Sequence, residues 1–202
     1  MKLYYAPGAC SLASHIIMRE AGCAFDLVRI DLATGKMADG DAFSDINPKG
    51  YVPALQLDDG QVLTENQVIL QYLADQTPEA RLVPPAGTMA RYRVMEWLAF
   101  IATELHKSFG PLWNPQTPEA TRQNARALLA KRFGFVEAAL SKQDWLSGDR
   151  FGIADAYLFT VMSWTRIHHI DLTPWPHLLA YQDRIAARPA VQSALRAEGL
   201  IQ

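Results

Sequence analysis

The sequence predicts an α/β first half joined to an all-α second half. Three observations predict it. Strand-like and helix-like runs alternate up to about residue 75. Residues 76–87 then carry Pro78, Pro84, Pro85 and Gly87 and read as a linker. Beyond the linker strand signals vanish, and apolar residues recur at helical spacing. The expected domains are therefore residues 1–80 and 88–202.

Lys2–Tyr5 reads as a short strand. Residues 11–21 read as a helix, because Leu12, Ile16 and Ile17 give one apolar face and Gly22 stops it. Residues 25–30 read as a second strand, whose parallel pairing with the first would complete a βαβ unit. Residues 54–57 and 61–63 flank Asp58-Asp59-Gly60, a hairpin turn signal. Thr64 is expected to N-cap a helix running to about Asp75, with Val68, Ile69, Tyr72 and Leu73 facing inward. The first half thus reads βαβ, then ββα. In the second half, residues 90–109 read as a helix with Tyr92, Trp97, Ile101 and Leu105 spaced along it. Residues 118–140 carry the stripe Leu129, Phe133, Val136 and Leu140. Residues 153–168 and 176–187 read as two more helices, and Pro189 opens a short last one ending before Gly199.

Half of the 202 residues are hydrophobic, enough for a substantial core. The net charge of −2 gives no basic field for nucleic acid, and no apolar run reaches membrane-spanning length. The N-terminus lacks the long apolar region of a signal peptide, so a cytoplasmic protein is expected. The two cysteines, Cys10 and Cys23, are too far apart for a Cys-x-x-Cys pair. His168, His169 and Asp171 resemble ligands, but adjacent histidines at a helix end are more often solvated or complement the dipole. No metal is expected, and Glu96 and Glu104 read as a solvated or dimer-facing helix side.

Three short segments carry the chemistry. The first is Tyr5-Ala6-Pro7-Gly8-Ala9-Cys10-Ser11, where a thiol stands at a helix start. Free N–H groups and the positive dipole end favour thiolate there. A buried filler is the competing reading of Cys10. Cys23 reads as inert, Ser11 first as a cap, and Tyr5 as a strand residue. The second segment is Asn47-Pro48-Lys49-Gly50-Tyr51-Val52-Pro53-Ala54-Leu55. Pro53 belongs at a strand start, and a cis Val52–Pro53 bond would leave the Val52 backbone open to an extended peptide. The third segment is Leu63-Thr64-Glu65-Asn66-Gln67, with N–H groups for a carboxylate and Glu65 for an ammonium. A ligand with a carboxylate, an amine, a peptide backbone and a thiol engages all three. Glutathione is such a ligand.

The order and spacing of these segments resemble the bacterial beta-class glutathione S-transferases. The resemblance includes Lys2-Leu3-Tyr4-Tyr5, Cys10-Ser11-Leu12, Asn47-Pro48-Lys49-Gly50, Val52-Pro53-Ala54-Leu55 and Leu63-Thr64-Glu65. It continues through Glu96-Trp97-Leu98, Glu104-Leu105-His106-Lys107, Ala154-Asp155-Ala156-Tyr157 and Glu198-Gly199-Leu200-Ile201. It implies a thioredoxin-like N-terminal domain, an all-helical C-terminal domain and a homodimer. It implies an enzyme that conjugates glutathione to hydrophobic electrophiles. A cysteine at residue 10, suited to forming a mixed disulfide that glutathione can exchange, adds the expectation of thiol–disulfide exchange or peroxidase activity through Cys10. Cys10 and His106 would be catalytic, and glutathione, the co-substrate, could be held covalently on Cys10. Lys36, Val52, cis Pro53, Glu65 and Asn66 would complete the glutathione site. Phe109, Trp113 and Trp164 would line the electrophile pocket. A non-catalytic interaction or carrier module is the alternative.

This sequence departs from the family pattern at four places. Asn66 stands where relatives carry Gly or Ser, and Gly35 leaves Lys36 alone to meet the glycyl carboxylate. Ala99 replaces a frequent Asn. Gly152 replaces Ser or Thr, so Asp155 can accept from the Gly152 N–H without a reciprocal side-chain bond.

Overall fold

In this computed structural model, which describes residues 1–146 and 148–202, the chain forms two compact units. The first comprises residues 1–83 and 187–202, and the second residues 84–186.

The first unit is built on a five-stranded mixed sheet. Its strands are β1 (Lys2–Tyr5), β2 (Asp26–Asp31), β3 (Lys36–Met37), β4 (Ala54–Gln56) and β5 (Val62–Thr64), in the order β3-β2-β1-β4-β5. β1 and β2 run parallel, joined by helix α1 (Ser11–Glu20), which is the expected βαβ unit. β4 and β5 add antiparallel, and α2 (Asn66–Gln76) follows. This is the thioredoxin-like arrangement the resemblance implied. Alternate residues of β1 serve opposite faces, as the pleat requires. Leu3 is wholly buried, as are Leu12, Ile16 and Ile17 of α1 and Ile69, Leu70 and Leu73 of α2. Tyr4 instead joins Ile30, Phe43, Val52 and Ala54 in a second cluster.

Several local expectations shift. The two-residue β3, with Lys36 exposed, has no hydrophobic alternation to announce it. α2 is rotated from the expected face: Val68 is exposed, and Leu70 and Ala74 are buried in its place. Thr64 is not the N-cap but the last residue of β5, and Glu65 caps with φ +70. The last helix, α8 (Pro189–Ala197), belongs to the first unit and packs on α1. Arg188 anchors it there with two hydrogen bonds to the Glu20 carboxylate, at 2.6 and 2.9 Å.

The second unit is helical. α3 (Met89–Phe100) continues as a π-helical turn (Ile101–His106) and a 3₁₀ turn (Lys107–Phe109) into α4 (Gly110–Trp113). The expected regular helix over 90–109 is therefore broken where His106 lies. Tyr92 is exposed, and the buried line is Val94, Leu98, Ile101, Leu105 and Phe109. α5 (Glu119–Leu140) buries the expected stripe of Leu129, Phe133, Val136 and Leu140. α6 (Ile153–Ile167) is buried over most of its circumference, and α7 (Pro176–Ala186) packs on α5 and α6. Residues buried all round identify α6 as the central helix of this unit.

At the start of α6, Asp155 accepts the Gly152 N–H at 2.8 Å. Its other oxygen accepts the Leu146 N–H at 2.8 Å and the Tyr181 hydroxyl at 2.7 Å. Only this half of a capping box can exist, because Gly152 has no side chain. Burial raises the Asp155 carboxyl to about 6, against the pull of those donors.

Candidate functional site

The turn from β1 to α1 is held from two sides. Gly8 has φ +70, a conformation that favours glycine, and an added Cβ would stand 3.5 Å from Leu200 Cδ2. The Gly8 N–H donates to Glu198 Oε2 at 2.9 Å. The other oxygen of that buried carboxylate lies 2.8 Å from His15 Nδ1. Arg19 Nε donates to His15 Nε2 at 3.3 Å, so Nε2 accepts and Nδ1–H donates to Glu198. α1 and α8 therefore jointly fix the turn that presents Cys10.

Cys10 itself occupies the N-cap position with helical backbone angles, and the residue is partly exposed. Sγ donates to the Val52 carbonyl at 3.3 Å, a contact that needs the proton on sulfur. Ser11 is fully buried; its hydroxyl spans the Ala6 N–H and C=O at 3.3 Å each and is neither the N-cap nor a donor to sulfur.

The second segment meets the first at Val52. The Val52–Pro53 bond is cis, and Ala54 begins β4 directly after it. The Val52 N–H donates to no group among the described residues. Asn47 shapes the approach, donating to the Tyr51 carbonyl at 2.7 Å and accepting from the Lys49 N–H at 3.2 Å.

At the third segment, Glu65 Oε1 accepts from Lys49 Nζ at 2.6 Å and from the Tyr51 hydroxyl at 2.7 Å. Lys49 Nζ also donates to Thr64 Oγ1 at 3.0 Å. Hydrogen bonding to Glu65 raises both the Lys49 ammonium and the Tyr51 phenol above their ordinary pKa values. The Asn66 side chain turns inward; Oδ1 accepts from Ser14 at 2.7 Å, while the buried Nδ2 has no partner among the described residues. Lys36 is exposed on β3.

The second unit carries an aromatic column. His106 packs edge-on to Trp164 with centroids 4.8 Å apart, and Trp164 meets Phe109 and Trp113, each at 5.5 Å. Phe109 is fully buried behind Trp164, whereas Trp113 is 47% exposed. His106 Nδ1 lies 2.8 Å from the Tyr157 hydroxyl. Burial, with Lys107 adding to it, pushes His106 down to about 4, so it is neutral at pH 7. His168 is not a solvated helix-end histidine. It is buried against Trp113, centroids 4.3 Å apart, and its Nε2 has no partner among the described residues.

The structure thus brings Cys10 together with Val52 and Pro53, and Glu65 with two residues not singled out in the sequence, Lys49 and Tyr51. It groups His106, Phe109, Trp113 and Trp164. His15, Glu198 and Tyr157 were also not legible in these contacts, and His168 was legible only as a helix-end histidine, not as a buried partner of Trp113. Only Lys49 and Tyr51 left a local trace, as a cation and an aromatic flanking Gly50 in the second segment. Burial raises the Cys23 thiol, in keeping with an inert role. Among the described residues no group of three or more His, Cys, Asp or Glu could hold a metal ion.

Comparison with known proteins gives a consistent picture. Residues 8–76 match the family model "Glutathione S-transferase, N-terminal domain", and residues 100–189 match "Glutathione S-transferase, C-terminal domain". The chain is 52% identical to glutathione S-transferase GstA of Escherichia coli O157:H7, over 99% of this chain and all of that protein. It superposes on a sphingomonad glutathione S-transferase complexed with glutathione with a TM-score of 0.96, at 44% identity and full coverage of both chains. A beta-class glutathione S-transferase of Sphingomonas chungbukensis gives a TM-score of 0.97 at 47% identity, again covering both chains fully.

Proposed function

Since the chain belongs to the glutathione S-transferase family, we propose that it binds glutathione through its first unit, transfers the thiol to hydrophobic electrophiles, and uses Cys10 for thiol–disulfide exchange. The observation that carries this reading is the meeting of the Cys10 thiol with the Val52 backbone at 3.3 Å. There the Val52 N–H and C=O would pair with the cysteinyl unit of an extended tripeptide, which places the ligand's sulfur beside Cys10. The glutamyl ammonium would meet Glu65, its carboxylate the N–H groups at the start of α2, and the glycyl carboxylate Lys36.

A thiol is a poorer hydrogen-bond donor to a thiolate than a hydroxyl is. It is better suited to exchange. The Cys10 thiolate attacks a mixed disulfide of glutathione and a second thiol. A Cys10–glutathione disulfide forms, and the second thiol leaves as thiolate. A free glutathione thiolate then attacks that bond, forming glutathione disulfide and returning Cys10 as thiolate. His106, neutral at pH 7, serves as a hydrogen-bond partner and not as a cation. Trp113 supplies apolar surface for the electrophile, backed by Trp164 and Phe109. We further propose a homodimer acting in the cytoplasm; among the described residues no helix is long and apolar enough to cross a membrane.

The test is Cys10→Ala, assayed for aryl-halide conjugation and for reduction of a glutathione mixed disulfide. Conjugation should persist while disulfide reduction collapses. If both persist, Cys10 has no catalytic task. Intact mass before and after reductant should show a reversible glutathione increment that Cys10→Ala lacks.

A further inference from the structure

The carboxylate assigned to the glutamyl ammonium already has an ammonium on it. Lys49 Nζ donates to Glu65 Oε1 at 2.6 Å and to Thr64 Oγ1 at 3.0 Å, and it lies 5.9 Å from the centre of the Tyr51 ring. A carboxylate, a hydroxyl and an aromatic face are the groups that a site for a primary ammonium uses. Tyr51 completes the arrangement by donating its hydroxyl to the same Glu65 oxygen at 2.7 Å. Glu65 holds a φ of +70, so the backbone itself is in a conformation uncommon for a non-glycine residue where this carboxylate is presented. Both ends of the pair are about half-exposed, with side-chain exposures of 45% and 44%. An exposed pair of this kind is weak enough for a ligand to displace.

We propose that Lys49 is a built-in surrogate for the ligand's ammonium, so that glutathione binding exchanges one ammonium for another on Glu65 and Lys49 sets how strongly the site discriminates for that group. This rests on the reading that Glu65 receives the glutamyl ammonium. With Lys49 present, a ligand bearing an ammonium must displace it, and only the difference between the two contacts favours binding. A ligand of the same shape without the ammonium leaves the Lys49–Glu65 pair in place. Lys49 therefore narrows the advantage of glutathione over amine-lacking analogues. Removing it widens that advantage, because Glu65, relieved of the competing ammonium but still accepting the Tyr51 hydroxyl, then gains a charge-assisted contact from the ligand without first giving one up.

The experiment is calorimetric titration of the full chain with glutathione and with its deaminated analogue, glutaryl-cysteinyl-glycine. Lys49→Met is expected to tighten glutathione about two- to fivefold, the range that an exposed ion pair commands. It should leave the glutaryl analogue unchanged, so the ratio of the two affinities rises by the same factor. Unchanged glutathione affinity, equal tightening of both ligands, or weakening of either overturns the proposal; weakening of both would mean that Lys49 serves a carboxylate of the ligand. Lys49→Arg, which keeps the ion pair, should show no gain for glutathione and guards against a folding defect of the Met variant. Glu65→Gln separates the two readings. If it leaves glutathione affinity undiminished, the assignment of the ammonium to Glu65 fails. If it weakens glutathione while Lys49→Met changes nothing, only the role of Lys49 fails.

Discussion

Glu65 in the first unit and Asp155 in the second are both acids at the start of a helix, and they do opposite work. Asp155 is fully buried, and its three hydrogen bonds come from Gly152, Leu146 and Tyr181, all inside the fold. Glu65 is half-exposed and accepts from the half-exposed ammonium of Lys49 and from a tyrosine hydroxyl. The difference is access to water. Donors that face Asp155 have no other acceptor among the described residues, so the carboxylate is part of the fold. Donors that face Glu65 can return to solvent, so the carboxylate is available to a ligand.

Deleting Asp155 breaks that contrast hardest. Asp155→Ala leaves two buried N–H groups and a buried hydroxyl without an acceptor, at about 1–3 kcal/mol each and less than additively. The expected loss is about 3 kcal/mol or more, read from the denaturant midpoint. Glu65→Gln should move the same midpoint by less than about 0.5 kcal/mol, as exposed changes do. An Asp155→Ala midpoint close to the parent's would mean that water reaches those donors, and the distinction between the two acids would fall.

The two acids also show what could be read from the sequence. Asp155 was legible because its helix start, the Gly152 beside it and the polar-to-apolar switch lie within four residues. Glu65 was legible as an acid at a helix start, but its cap position was not. Thr64 looked like the better cap, and only the antiparallel pairing of Val62–Thr64 with β4 claims it for the sheet. Lys49 was illegible as a partner of Glu65 because the contact spans 16 positions and depends on how the loop after Pro48 folds. Glu198 was illegible for the same reason at larger scale. Its acceptance of the Gly8 N–H requires α8 to return to α1, a packing that neither segment's periodicity encodes. The strand-helix grammar of each unit is local. The site is made mostly of non-local contacts, so its backbone elements were legible and its side-chain partners were not.

A smaller effect sharpens the comparison through pH. His106 titrates near 4 in the fold against an ordinary value of 6.5. Between those values the unfolded chain binds a proton that the folded chain refuses, so stability falls as pH drops from 6.5 towards 4. Asp155 works the other way, because its folded value near 6 lies above the ordinary 3.8. There the folded chain binds the proton first, so acidification over the same window adds stability. The two groups oppose each other. His106→Asn, which cannot titrate, should be stabilised relative to the parent by roughly 2 kcal/mol on going from pH 7 to pH 4. Urea midpoints at the two pH values check this. An identical acid response of parent and variant would mean that His106 is hydrated and titrates normally.

The smallest expected effect lies at the acid that builds the fold. Gly152 has φ −150 and ψ −170, an extended conformation open to any residue. Its carbonyl already receives the Asp155 N–H at 3.1 Å and the Ala156 N–H at 3.2 Å. Gly152→Ser would supply the missing half of the capping box, because a serine oxygen can share the Asp155 N–H with that carbonyl. Glycine is a tolerable cap, so the gain should be only a few tenths of a kcal/mol. In a chain of this length that corresponds to a melting temperature about 1 °C higher. The hydroxyl also brings a proton that needs an acceptor in a buried place, which keeps the gain small. A melting temperature equal to or below the parent's would show that Asp155 alone completes this helix start, with no role left for a reciprocal cap.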